Sequence, residues 1–221
     1  MRRCWPINGL TLIPSNGGTT INTLSILNDF MEEKFSSKLK LESSLFYNAE
    51  YGIRFEVGNP DPSVSDEAYR AQVHHRAKTL FTDVHHADDD ILMVVNHDSH
   101  RATKRTKLKA FDHAFYNSKV IRTLACVNLH KYDDDDDEWE SYRYVLGCKR
   151  SELNYRKVLF APNDIYFVNL SKNTIFHFYD SRGLDVAASS KEALRELYVK
   201  RNDWILRYDR KRIDSMFMEE D

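Results

Sequence analysis

Three apolar runs, at residues 165–170, 174–179 and 184–188, follow one another with only Ser171-Lys172-Asn173 and Asp180-Ser181-Arg182-Gly183 between them. Runs of this length, bounded by turn-forming residues, read as strands, and the Ser171-Lys172-Asn173 turn joins the first two as a hairpin. Connections so short commit the chain to a sheet. Gly183 supplies the freedom for a tight turn into the third strand. Ser189 and Glu192 then stand at the spacing of a capping box, which opens a helix toward Arg201.

The rest of the chain supplies elements to pack on that sheet. Leu24, Leu27, Met31 and Phe35 recur at helical spacing, with Ile26 and Phe30 beside them, and predict an amphipathic helix over residues 20–37. Residues 45–58 read as a strand in which Ile53, Phe55 and Val57 alternate with Arg54 and Glu56, stopped by Gly58-Asn59-Pro60-Asp61-Pro62. Ser65, Asp66 and Glu67 open a helix that carries Tyr69, Val73, Ala77, Leu80, Phe81 and Val84 on one face. Residues 91–95 form a short continuous apolar run, suited to a strand in the interior of a sheet.

The order strand, helix, strand predicts a crossover unit and hence two parallel strands. Tyr142, Tyr144, Leu146 and Cys148 alternate as a further strand, and Ser151 caps a short helix through Leu159. Trp204, Ile205, Tyr208 and Ile213 predict a closing helix. Within 99–138, Leu108, Phe111 and Phe115 support a helix, while 120–129 fits either helix or strand. The expected architecture is an α/β or α+β fold. It has a disordered leader over 1–20 and a single domain over 21–221, with a mixed sheet of five to six strands flanked by helices.

Composition narrows the function classes. The net charge of −2 argues against generic nucleic-acid binding, which needs a basic excess. Cys4, Cys126 and Cys148 are too few and too scattered for a disulfide framework or a zinc knuckle, which points to a reducing, cytoplasmic setting. No apolar run reaches the roughly 18 residues of a membrane span, so no membrane association is expected.

Nine histidines invite a metal reading, with His85, His86 and Asp88-Asp89-Asp90 before the 91–95 strand and His97, Asp98 and His100 after it. A five-residue strand rising about 3.3 Å per residue holds its two ends roughly 16 Å apart, too far for one ion. These histidines therefore read as surface residues, His74-His75 as the polar face of their helix, and no metal or cofactor is expected. Cys126 and Cys148 sit in apolar settings and read as small packing residues.

Two polar features remain. Arg54, Glu56, Asp180, Arg182 and Asp185 lie close to strand ends, where two arginines among carboxylates could hold an anionic substrate while a carboxylate acts as base. Asp133, Asp134, Asp135, Asp136, Asp137 and Glu138 form an acidic run flanked by Tyr132 and Trp139, against a basic patch of Arg101, Lys104, Arg105, Lys107 and Lys109. An acidic run with aromatic anchors suits a basic protein partner.

Residues 52–58 (Gly-Ile-Arg-Phe-Glu-Val-Gly), the strand from Asp89 to Asn96, residues 179–186 and the segment 202–210 together resemble a bacterial family common in bacilli, the domain of unknown function DUF3885. The resemblance spans roughly residues 45–217 and departs at Ser181, where relatives often carry a second aspartate. It implies no established activity, and some relatives look like members of toxin–immunity gene neighbourhoods. Two functions are therefore expected: foremost an interaction protein, such as an immunity protein that occludes a toxin's basic active site, and as the alternative a hydrolase built on the Arg/Asp/Glu cluster. Salt bridges sealed inside the core would end the second.

Overall fold

The computed structural model describes residues 22–42, 45–100, 114–116, 125–129, 139–161 and 164–218, with the side chains of Ser99, His100 and Trp139 left aside. The expected leader, the basic patch at 101–109 and the acidic run at 133–138 lie outside these residues.

A seven-stranded sheet forms the centre. Its strands are β1 (Tyr51–Glu56), β2 (Asp90–His100), β3 (Ala125–Asn128), β4 (Trp139–Lys149), β5 (Asp164–Asn169), β6 (Thr174–Phe178) and β7 (Gly183–Ala188), in the spatial order β1-β7-β6-β5-β2-β4-β3. Every neighbouring pair is antiparallel. The mixed sheet and the parallel crossover are thus corrected: β7, β6 and β5 separate β1 from β2. The continuous apolar run at 91–95 reflects burial on both faces, since helices cover both sides of this antiparallel sheet.

The helices are α1 (Thr23–Lys34), α2 (Leu45–Asn48), α3 (Asp66–Val84), α4 (Tyr155–Val158), α5 (Glu192–Lys200) and α6 (Arg210–Met218). On one face α1 buries Leu27 and Phe30 against Leu92, Val94, Val145, Tyr166, Val168, Ile175 and Ala187. On the other, Val73, Ala77, Leu80 and Phe81 of α3 join Leu194 and Leu197 of α5 and Ile213 and Phe217 of α6 over Ile53, Phe55, Met93, Phe167, Phe176 and Val186. Ser65 caps α3 as expected, its hydroxyl accepting from the Ala68 N–H at 3.3 Å, with Asp66 and Glu67 in the first turn.

Several local expectations shift. Residues 45–48 are one turn of helix before β1 rather than strand. Around Ser151 the chain makes a 3-10 turn, Arg150–Glu152, and then the single turn of α4. Near α5 it is Ser190, not Ser189, whose hydroxyl accepts from the Ala193 N–H. The closing helix is also displaced. Asn202–Trp204 is a 3-10 turn, Ile205 bridges to Phe55, and the Leu206 N–H donates to the Arg54 carbonyl at 2.9 Å. That bridge covers the outer edge of β1, where an open strand would invite intermolecular pairing.

His85 is not a surface residue. It is 1 % exposed, stacks on Phe81 with centroids 4.3 Å apart, and places Nδ1 at 2.9 Å from the Phe81 carbonyl. His74 and His75 are exposed as expected, although each lies against a ring, Phe160 and Trp204 respectively. Among the described residues no His, Cys, Asp or Glu group could hold a metal ion, and no helix is long and apolar enough to cross a membrane.

Candidate functional site

Arg54 and Asp185 are direct cross-strand partners on β1 and β7, so their side chains leave the same face of the sheet together. Arg54 Nε and Nη2 donate to Asp185 Oδ1 and Oδ2 at 2.7 and 2.9 Å, a bidentate pair. Asp185 Oδ2 also accepts from the Phe46 N–H at 3.1 Å, and Asp209 Oδ2 lies 3.9 Å from Arg54 Nη1. The rings of Phe46, Tyr47 and Tyr179 surround the guanidinium at 5.3, 4.5 and 5.3 Å. Burial alone would lower the pKa of Arg54, yet the bonds and charge of Asp185 raise it above its ordinary value. With Arg54 9 % exposed and Asp185 fully buried, this is an internal brace.

The row continues straight across the sheet, since His177 faces Asp185, Tyr166 faces His177, and Val94 faces Tyr166. This face is therefore polar in the half nearer the β6–β7 turn and apolar in the half under α1. His177 Nε2 lies 2.7 Å from Asp164 Oδ1, and the His177 ring stacks on Tyr166 at 4.0 Å. Because the carboxylate can only accept, Nε2 carries the hydrogen. Nδ1 is buried with no hydrogen-bond partner among the described residues. Asp164 Oδ2 accepts from Asn96 Nδ2 at 3.2 Å, and Arg143 Nε donates to Asn96 Oδ1 at 2.9 Å. Burial raises the Asp164 pKa, but the donors His177, Asn96 and Tyr166 outweigh it and hold the carboxyl below its usual range.

Where this polar half meets the end of the sheet, a cleft of about 440 Å³ opens between the first turns of α3, the Phe160-Ala161 segment and the end of β6. Tyr69, Arg70, Val73 and His74 line it from α3, and Asp164, Phe178, Tyr179 and Ser181 line it from the sheet. Phe160 meets Phe178 edge to face at 5.4 Å. The Tyr69 hydroxyl donates to the Ser181 carbonyl at 2.9 Å and ties α3 to the β6–β7 turn. Tyr179 lies directly on Gly183, where a Cβ would fall 1.9 Å from its hydroxyl, so only glycine fits under the ring. Burial, then the charge of Asp185, pushes the Tyr179 phenol up to about 12.

The five polar residues singled out in the sequence therefore do not converge. Arg54 and Asp185 are sealed together. Asp180 and Arg182 pair across an exposed turn, with Nε at 2.9 Å from Asp180 Oδ2 while Asp180 Oδ1 accepts the Arg182 and Gly183 N–H groups. Glu56 ends β1 opposite Gly183, and Arg76 Nη1 donates to its carbonyl at 2.8 Å. Asp164, His177, Tyr179 and Asp209 were not among the site residues read from the sequence, although Tyr179 and Asp209 lie in segments that carry the family resemblance. His177 was hidden inside an apolar alternation, and Asp164 follows Pro162-Asn163, which reads as loop.

The acidic run falls between two paired strand ends. Asn128 of β3 faces Tyr142 of β4, and the Leu129 N–H donates to the Ser141 carbonyl at 2.9 Å. The pairing of β5 with β2 stops at Asn96 opposite Asp164, whereas β2 and β4 stay paired from His97–Tyr142 to His100–Trp139. The β2–β4 ribbon thus runs on past β5, by roughly 13 Å for four residues at about 3.3 Å each. Tyr132 and Asp133–Glu138 lie outside the described residues, and Trp139 is described only as the first residue of β4.

The chain matches the domain of unknown function DUF3885 over residues 27–209, and it belongs to that family. It is 26% identical over 208 residues to the uncharacterized protein YnaE of Bacillus subtilis (strain 168), an alignment covering 81% of this chain and 96% of the relative. No solved structure matches.

Proposed function

We propose that this member of the DUF3885 family is a protein-interaction module that meets a basic partner at the end of its β2–β4 ribbon, in the manner of an immunity protein covering a toxin's basic active site. The observation that carries this reading is the ribbon itself. It continues beyond the body of the sheet, and the chain between β3 and β4 at that end contains Asp133–Glu138. Asp98 and Glu140, on the described part of the ribbon, add to the same charge. A run of like charge of this kind accelerates encounter with a basic surface and favours it over neutral ones.

A hydrolase built on Arg54, Glu56, Asp180, Arg182 and Asp185 has less support, because its central arginine and aspartate neutralise each other inside the core. The test is a pull-down from the native host's lysate, with the full chain and a variant carrying serine at 133–138 as baits. One stoichiometric basic protein, retained by the native chain and lost by the variant, is the expected result. Equal capture by both baits, or none by either, contradicts the proposal.

A further inference from the structure

The cleft opens at the same end of the sheet from which the ribbon projects, because Asp164 stands opposite Asn96, where β2 passes β5. Resting on the interaction reading above, we propose that the cleft is a socket for an arginine side chain of the basic partner. Four observations converge on a guanidinium. The walls carry the aromatic residues Tyr69, Phe160, Phe178 and Tyr179, and a planar cation stacks on such rings where a face is free; one side of Phe160 is taken by His74 at 4.2 Å. The sheet side carries Asp164, whose side chain is 41 % exposed despite its bonds to His177, Asn96 and Tyr166. A carboxylate accepts about four hydrogen bonds, so these three donors leave one place for an incoming N–H.

The third observation is that the same chemistry recurs within the chain. Arg54 sits among the rings of Phe46, Tyr47 and Tyr179 against Asp185, and Arg150 lies over Tyr155 at 4.6 Å. The fourth is size. A cleft of about 440 Å³ is within the range of small-ligand sites, roughly 300–1,000 Å³, and holds one long side chain with room for its backbone.

The cations already at the rim leave the place open. Arg70 is 75 % exposed and reaches back to Asp66 at 3.8 Å, and Arg182 is bound to Asp180. Lys78 Nζ lies 5.7 Å from the Phe160 centroid.

The experiment is an NMR titration of the full chain with N-acetyl-arginine amide, N-acetyl-leucine amide and AMP, following resonances of Phe160, Phe178 and Tyr179. The socket predicts saturable shifts with the arginine probe at millimolar concentration and about tenfold weaker binding in Asp164→Asn, the loss expected for one charge-assisted hydrogen bond. Phe160→Ala, checked for native folding by its amide spectrum, should weaken binding as well. Leucine amide or AMP matching the arginine probe, or no saturable shift from the arginine probe, overturns the proposal. The variant with serine at 133–138 should bind the arginine probe as the native chain does. A failure of the acidic run to recruit a partner is thereby told apart from a failure of the socket.

Discussion

Arg54 and Asp185 close a bidentate ion pair of 2.7 and 2.9 Å between the edge strand β1 and its neighbour β7, with almost no water at either end. Such a pair costs little while both partners are present, and removing one strands a buried charge. Asp185→Ala or Arg54→Met alone should therefore destabilise the fold by about 3–5 kcal/mol, whereas Arg54→Met with Asp185→Leu should recover much of that loss. Urea unfolding of the two single variants and the double variant checks the prediction. Strict additivity would show that the two residues act independently.

His85 makes stability depend on pH. Complete burial lowers its pKa from 6.5 to about 4, against the opposing pull of the Phe81 carbonyl and Asp89, while Arg150 and Lys172 reinforce the lowering. The folded chain then resists a proton that the unfolded chain accepts. The contribution is fully present above pH 6.5 and is lost progressively as pH falls toward 4, by about 3 kcal/mol in all. Asp83 acts in the same direction lower down. Burial raises its pKa, but its bonds to Arg201 and Lys200 more than reverse that, so acid must break these pairs. Urea midpoints at pH 7 and pH 5 should differ in the native chain and differ less in His85→Phe. Equal slopes in the two proteins would contradict the assignment.

Much of the local structure was legible in the sequence, and for identifiable reasons. The hairpin of β5 and β6 was visible because Ser171-Lys172-Asn173 names its own turn, completed by Asn173 at φ 53° and by Asn169 Oδ1 accepting from the Ser171 and Lys172 N–H groups. The sheet order was not visible. Whether β2 lies beside β1 or between β5 and β4 depends on contacts far apart in the chain, and a strand buried on both faces looks the same in either place. The polar cluster misled for a related reason. Arg54 and Asp185 stand near Arg182 in sequence or in apparent strand position, but strand register alone decides that Asp185 takes Arg54 and leaves Arg182 to Asp180.

The glycines give a packing test near the cleft. A Cβ on Gly58 would fall 2.5 Å from the Tyr69 hydroxyl and 2.7 Å from the Ser181 carbonyl, which is backbone and yields poorly. On Gly147 it would meet Thr23 and Leu92 at 3.5 and 3.6 Å, ordinary contact. Gly58→Ala should cost about 1–3 kcal/mol through overpacking and should disturb Tyr69 over the cleft, while Gly147→Ala should be close to neutral. Thermal melts of both variants measure the difference, and equal losses would count against the close approach at Gly58.

Cys148 should be chemically quiet. Burial, then the charges of Glu152 and Asp90, push its thiol up to about 12, so little thiolate exists near neutral pH. Alkylation of the folded chain at pH 8 followed by peptide mapping should label Cys148 far more slowly than the same protein in urea. Equal rates would place the thiol in solvent.

The central claim concerns the acidic run at 133–138, and its most direct test is the association rate constant with whichever basic partner the pull-down captures, measured as a function of salt. For the native chain the rate should fall steeply between about 0.05 and 0.5 M salt, as screening shortens the reach of the acidic run. The variant with serine at 133–138 should associate at least about tenfold more slowly at low salt and converge with the native chain at high salt. Equal rates with equal salt dependence in the two proteins would show that the acidic run plays no part in recognition.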